Sequence, residues 1–235
     1  MTCNTGFAAP PAPGATDDAF TQFSYTKNPN GVWSYGYTTG LGGPFTLYNQ
    51  SCDLADGLKG WQMNCSGPPE VVKNISGVDY VTDSYFPATD YLGFHPGPSG
   101  EYSTIRWTAP TKGEYQINAA FTSLRLNYCG VSTDVYVIVN GVEYFNAFLY
   151  DFFTVDGNYP GTPAPPKTFA TILTLETGST VDFVVGDGDN EYYCDGSGVK
   201  ASILTNPPHP YHPIPPIHPP HPIHPPYPVP PVCTK

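Results

Sequence analysis

The chain has 235 residues, 9 basic and 20 acidic side chains, a formal charge of -11, and 29 prolines, 24 glycines and 18 tyrosines among only 12% charged residues. Without a clustered Lys/Arg stripe this balance excludes a nucleic-acid binder, and no apolar run reaches transmembrane length, so no membrane span is expected. A tail of about 30 residues leaves one domain of roughly 200, ample for a core.

Residues 1–19 form a Pro/Ala-rich N-terminal arm carrying Cys3. Met1 is followed by Thr-Cys-Asn and no apolar h-region, which argues against a signal peptide in this numbering. Either the chain starts within a precursor, or it reaches an oxidised state by a route such as virion assembly. Residues 20–206 read as one all-β domain. Strand-like segments fall at 33–37, 45–48, 103–108, 114–121, 134–139, 143–149, 168–175, 180–185 and 200–204, the spacing of a sandwich. Ile105 and Trp107 alternate with Thr104 and Arg106, and Tyr115, Ile117, Ala119 and Phe121 alternate with polar or small neighbours. Asn140-Gly141 predicts a type I′ hairpin. No window carries a helical period, so the fold class is an antiparallel β-sandwich.

Sequons at Asn49, Asn64 and Asn74 predict glycosylation on one exposed, loop-rich face over residues 49–76. The six cysteines, Cys3, Cys52, Cys65, Cys129, Cys194 and Cys233, include no CxxC pair, which argues for disulfides in an oxidising compartment rather than zinc. Six cysteines allow 15 connectivities. Cys52 and Cys65 flank a short loop and predict a local bridge.

Neither GxSxG, HExxH nor a phosphate-binding glycine loop occurs, and His95 is the one histidine of the domain, so no enzyme is expected. Arg106 is expected to pair with Glu101. Asp187, Asp189, Asn190 and Asp195 group oxygen ligands at short spacing, a candidate structural calcium site whose alternative is solvated turn residues. No other cofactor is expected. Trp33, Tyr35, Tyr37, Trp61, Tyr192 and Tyr193 are candidates for a glycan-stacking platform, against the alternative that they fill the core.

Residues 207–235 are a Pro/His-rich tail. Every third residue from Pro207 to Pro231 is proline, which excludes helix and central strand and selects polyproline II. A repeat of three on a threefold helix makes stripes: one of proline, one of imidazoles, and one apolar. The apolar ridge of Tyr211, Ile214, Ile217, Ile223 and Val229 is suited to docking in an aromatic-lined groove. Its triplets would span about 74 Å, longer than a domain of this size is wide.

The stretches FSYTKNPNGVWSYGYTTGLGGPFTLY (23–48), GFHPGPSGEYSTIRWTAPTKGEYQINAAF (93–121), TDVYVIVNGVEYF (133–145) and FATILTLETGSTVDFVVGDGDNEYYCDGSGVKASI (169–203) resemble a β-sandwich domain of exported bacterial proteins, including those with PEP-CTERM sorting signals. The resemblance covers most of residues 20–204. It implies a jelly-roll akin to carbohydrate-binding modules, on cell surfaces or in extracellular matrices, with no catalytic set. It also places Cys129 and Cys194 at the same end of the sandwich, implying a second bridge. The tail is similar to hydroxyproline-rich segments of algal wall and flagellar-hair glycoproteins.

Two functions are open at this point. One is a structural subunit of an extracellular or surface assembly (fibre, appendage, wall layer or virion shell). There the tail docks on neighbouring subunits and Cys233 bonds the neighbour's Cys3, giving a homo-oligomer or polymer. The alternative is a glycan-binding module displayed on a polyproline stalk. Both are extracellular or cell-surface roles, with a virion as the other location.

Overall fold

The computed structural model describes residues 14–55, 57–82, 84–125, 131–150 and 165–207. Among these are sixteen strands and no helix. In chain order they are β1 (Thr16–Asp18), β2 (Trp33–Thr38), β3 (Thr46–Leu47), β4 (Gln50–Ala55), β5 (Leu58–Gln62), β6 (Glu70–Asn74), β7 (Tyr80–Val81) and β8 (Tyr85–Phe86). Then follow β9 (Leu92–His95), β10 (Tyr102–Thr108), β11 (Gly113–Ser123), β12 (Ser132–Val139), β13 (Val142–Tyr150), β14 (Lys167–Leu175), β15 (Thr180–Val185) and β16 (Ser197–Thr205).

One sheet runs β14-β11-β16-β9-β6-β5-β4, with β1 also paired to β16; the other runs β13-β12-β15-β10-β2-β3. The chain crosses between the sheets from β1 to β2, from β3 to β4, and at every connection from β9 to β16 except β12 to β13. The two sheets therefore form an antiparallel sandwich of jelly-roll type.

The period-two pattern decides which side of each strand is buried. Tyr115, Ile117, Ala119 and Phe121 of β11 face the core, as do Ile105 and Trp107 of β10 and Val135, Val137 and Val139 of β12. Trp107 and Tyr115 meet across the two sheets edge to face, their rings 4.9 Å apart. Each such fully buried side chain contributes about 1.5–3 kcal/mol relative to exposure. Asn140 and Gly141 both have positive φ, 50° and 79°, and join β12 to β13 as the expected two-residue turn.

Three expectations are corrected. Residues 49–76 are not loop-rich: β4, β5 and β6 form an antiparallel meander whose Leu58, Trp61, Val71 and Val72 are buried. Their alternation is masked by Gly60, which permits close strand approach, since a Cβ there would lie 2.7 Å from the Val71 carbonyl oxygen. Residues 16–19 of the expected arm belong to the sandwich. Asp17 accepts the Trp107 indole N–H at 3.0 Å, β1 pairs with β16, and Ala19 is buried. Arg106 does not pair with Glu101. Its Nε and Nη2 donate to the two carboxylate oxygens of Asp182, at 2.7 and 2.8 Å, because β15 lies directly beside β10 in register. The Glu101 carboxylate instead accepts the amide of Ser99 at 2.8 Å.

Candidate functional site

At one end of the sandwich, the segment preceding β8 meets the chain leaving β11. Ser84 and Arg125 form an isolated antiparallel bridge, the Tyr85 amide donates to the Leu124 carbonyl at 2.7 Å, and the Leu124 amide donates to Gly196 at 2.9 Å. Side chains alternate across such a bridge. Two concavities adjoin this bridge.

The first is an open cleft of about 250 Å³, lined by Tyr85, Pro87, Thr89, Asp90, Tyr91, Thr122, Ser123 and Leu124. Tyr85 is anchored by donating its hydroxyl to Asp79 Oδ2 at 2.9 Å, while Asp79 Oδ1 accepts the Ala88 amide at 2.9 Å. The Ala88 amide, and then the Tyr85 hydroxyl, hold the Asp79 carboxyl below the usual range. The Asp79 carboxylate in turn raises the Tyr85 phenol, so Tyr85 stays a neutral donor. Asp90 sits at φ 75° in the turn before β9, with Lys200 Nζ 3.3 Å from its carboxylate. The cleft thus offers two half-buried phenol rings and a proline beside a carboxylate and three hydroxyls.

The second is a smaller cavity of about 150 Å³, lined by Glu70, Ser84, Phe86, Phe94, His95, Arg125, Gly196 and Ser197. Arg125 Nη1 donates to Ser84 Oγ at 2.7 Å, Nη2 approaches Cys194 Sγ at 3.6 Å, and Nε has no partner. His95 Nδ1 lies 2.9 Å from the Pro96 carbonyl, an acceptor, so the ring proton sits on Nδ1. Burial pushes His95 down to about 4, so it is neutral at pH 7. Burial raises the Glu70 carboxyl, whose Oε2 accepts from Gln62 Nε2. Among the described residues neither Ser84 nor Ser197 bonds to His95, and the Ser197 hydroxyl donates to the Asp195 carbonyl at 3.2 Å.

Most sequence-predicted site residues lie elsewhere. Trp33 and Tyr35 are fully buried and Trp61 is 7% exposed, so none of the three is available as a sugar platform. The Trp33 indole N–H donates to Gln22 Oε1 at 2.7 Å, and that of Trp61 to the Ser24 carbonyl at 2.7 Å. Tyr37 stacks on Tyr48. Tyr192 and Tyr193 pack together at 4.4 Å, with Tyr193 exposed and Tyr192 edge-on to His95 beside the second cavity.

Among the described residues no group of three or more His, Cys, Asp or Glu side chains could hold a metal. Asp187 Oδ1 accepts the Asp189 amide at 3.1 Å, and Asn190 faces Ser132. Asp195 is fully buried, with Oδ1 accepting the Ser132 amide at 3.3 Å and Oδ2 without a partner. Burial pushes it up to about 8, against the Ser132 amide and with help from Asp187 and Asp134.

Asn49 and Asn64 are exposed, but Asn74 is 2% exposed and donates through Nδ2, the atom a glycan would occupy, to the Val78 and Phe86 carbonyls at 2.7 and 2.9 Å. The sequon at Asn74 is therefore structural. Cys52 and Cys65 are bonded as expected. Cys194 is also disulfide-bonded, while Cys3, Cys129, Cys233 and the whole tail ridge lie outside the described residues. Both concavities escaped sequence reasoning. The one local signal was the Tyr-Phe-Pro and Asp-Tyr pairs within residues 85–91, which carry no periodicity.

No family model and no curated protein matches the chain. Solved structures with a similar chain path include the CBM51-2 and INT domains of ZmpB from Clostridium perfringens. These are 15% identical with a TM-score of 0.37, covering 67% of this chain and 40% of that one. For another structure from the same protein, CBM51-2 in complex with GlcNAc and INT domains, the chain spans only 22% of that length, at 18% identity and a TM-score of 0.33 over 49% of this chain. CBM51 from Clostridium perfringens GH95, in complex with methyl-galactose, is 10% identical with a TM-score of 0.34 over 81% of this chain and 100% of its own. The class defined here, from its own two sheets, is an antiparallel β-sandwich.

Proposed function

We propose that the sandwich is a saccharide-binding module of an extracellular or cell-surface protein. The observation that carries this reading is the open cleft, where Tyr85, Tyr91 and Pro87 offer apolar surface beside the Asp90 carboxylate and the hydroxyls of Thr89, Thr122 and Ser123. A pyranose presents this same combination, an apolar C–H face ringed by hydroxyls, and mixed apolar and polar concavities of this size suit such ligands. The disulfide between Cys52 and Cys65 supports an oxidising location. The test is a glycan array probed with the native domain, followed by calorimetry on the best hits. Tyr91→Ala should weaken binding by more than about tenfold, the scale of one lost aromatic contact of ~1.5 kcal/mol. Equal affinity of Tyr91→Ala and the parent would remove the cleft from the function.

A second reading is favoured by a different observation. β13 and β14 end their respective sheets, and Tyr144, Phe148 and Ile172 on their outer faces are 44–47% exposed. Long apolar edges invite association. The proline-rich tail suits the same role, as a rod that docks on neighbouring subunits in a surface assembly. Under this reading native material run without reductant gives a ladder that collapses on reduction.

A further inference from the structure

The two sheets are bordered by β1, β3, β4, β13 and β14, and four of these strands are defended. A sheet edge offers unpaired N–H and C=O groups, and proteins that stay apart blunt it with short strands, charges, prolines or bulges. β1 and β3 span three and two residues, and β1 carries Asp17 and Asp18. β4 carries Asp53, a register shift before Ala55 and the bridge to Cys65. β13 carries Glu143 and meets β12 across a register shift at Val137/Ile138. β14 has none of these. Among the described residues it ends its sheet, pairs with β11 over nine consecutive positions without a shift, and holds no charge or proline from Thr168 to Leu175.

The ladder on the other side of β11 tells which groups of β14 are free. The Asn206 amide donates to the Glu114 carbonyl at 2.8 Å, so even-numbered residues of β11 bond to β16 and odd-numbered ones bond to β14. Their partners on β14 are odd-numbered too. The N–H and C=O groups of Thr168, Ala170, Ile172 and Thr174 therefore face the open edge, and all four side chains are exposed.

We infer that this edge binds the same edge of a second copy, the two β14 strands antiparallel about a twofold axis at Thr171, the middle of the strand. Such a contact is isologous and closes as a dimer. It sets Thr168 opposite Thr174 of the second copy and Ala170 opposite its Ile172, each pair exchanging two backbone bonds. On the core side Phe169 meets Leu173 of the second copy, both only partly buried where they pack on the core. At each end Lys167 comes within one position of Glu176 of the second copy, an acid that also holds Lys112 at 2.6 Å. Nine residues at ~3.4 Å make the edge ~30 Å long, and a flank ~15–20 Å deep then buries about 1,000 Å² in total, the size of a specific interface. The chain's own tail does not fit as the added strand, because every third residue from Pro207 to Pro231 lacks the N–H a ladder needs. The inference rests on the assembly reading and names its contact, without using the tail or Cys233.

The experiment is sedimentation velocity of the full chain, disulfides intact, from about 1 µM to about 1 mM, the range of weak to moderate association. Amide exchange is read residue by residue by ¹⁵N NMR at low and high concentration, and the same samples are run on non-reducing gels. A reversible monomer–dimer equilibrium is expected. On dimerisation the amides of Thr168, Ala170, Ile172 and Thr174 should slow together, while those of Phe169, Thr171 and Leu173, already bonded to β11, should change little. Ile172→Lys puts like charges near the axis and should weaken the dimer about tenfold or more. Leu47→Lys, on the far edge strand β3, should leave it unchanged; the two parent side chains are 45% and 41% exposed, so both variants keep the core intact. A dimer without a disulfide ladder supports the inference and sets the tail aside. A chain that stays monomeric throughout overturns it. So does slow exchange of the four edge amides in dilute monomer, which assigns the edge to residues 151–164 of the same chain. A ladder in which those amides exchange as in the monomer also overturns it, and leaves the assembly reading to the tail alone.

Discussion

Asp195 and His95 titrate in opposite senses, and together they shape stability against pH. Asp195 goes from 3.8 unfolded to about 8 folded, so between those values the folded state holds the extra proton and stability falls as pH rises. His95 goes from 6.5 unfolded to about 4 folded, so between those values stability rises with pH. The two slopes oppose each other up to about 6.5, above which the Asp195 slope remains. Unfolding by urea should therefore show a loss on the order of 1 kcal/mol from pH 6.5 to 8, and Asp195→Asn should flatten most of it. An unchanged slope in that variant would show that the proton belongs elsewhere. Asn74 is the second residue with a definite expectation. Its amide bridges the Val78 and Phe86 carbonyls, and its Oδ1 accepts the Ser76 amide at 2.9 Å. Glycopeptide mapping of eukaryotically expressed protein should find any glycan at Asn49 or Asn64 and none at Asn74. Asn74→Ala should cost about 2 kcal/mol through the buried groups it leaves unpaired.

Among the elements, β3 is the most dependent on a single backbone position. Gly36 in β2 pairs with Leu47 of β3 on one side and Thr104 of β10 on the other. A Cβ at Gly36 would sit 2.1 Å from the Thr46 carbonyl oxygen and 2.7 Å from the Phe45 ring. The same Phe45 ring lies 4.1 Å beneath the Arg106 guanidinium, so displacing β3 also strips a cover from the Arg106–Asp182 pair. Gly36→Ala should destabilise the domain by about 2 kcal/mol or more and expose the amide of Leu47 to hydrogen exchange. Gly40→Ala, where a Cβ would meet nothing within 4 Å, is the neutral control. Equal denaturation midpoints for the two variants would refute the packing argument.

For the whole molecule, the Cys52–Cys65 bridge ties β4 to the chain leaving β5 across a separation of 13 residues. The loop-entropy model assigns such a closure about 3 kcal/mol. Replacing both cysteines by alanine should lower Tm by roughly 6–12 °C for a domain of this size. No change in Tm would mean that the meander holds without the bridge. Under the assembly reading, association through the β13 and β14 edges should strengthen as added salt screens the net charge of -11, and a salt-independent sedimentation profile would count against it.

What the sequence by itself determined was the class of fold and the one hairpin closed at Asn140-Gly141. The reason is that burying one face of a strand imposes a period of two, as in Tyr115, Ile117, Ala119 and Phe121, and that Asn140-Gly141 can close only a tight turn. The local bridge between Cys52 and Cys65 was legible because the two residues are close in the chain. Short strands such as β5, interrupted by Gly60, carried too few alternating positions to be seen. Tertiary structure alone decided which aromatics are core and which are surface, since Trp33 and Trp61 have the composition of a sugar platform but face inward. It alone chose Asp182 over Glu101 for Arg106, a pairing set by strand register 76 residues apart. Both concavities belong to the same category, because Ser84, Arg125 and Gly196 meet only when two sheet ends converge, and no local pattern encodes a convergence of distant segments.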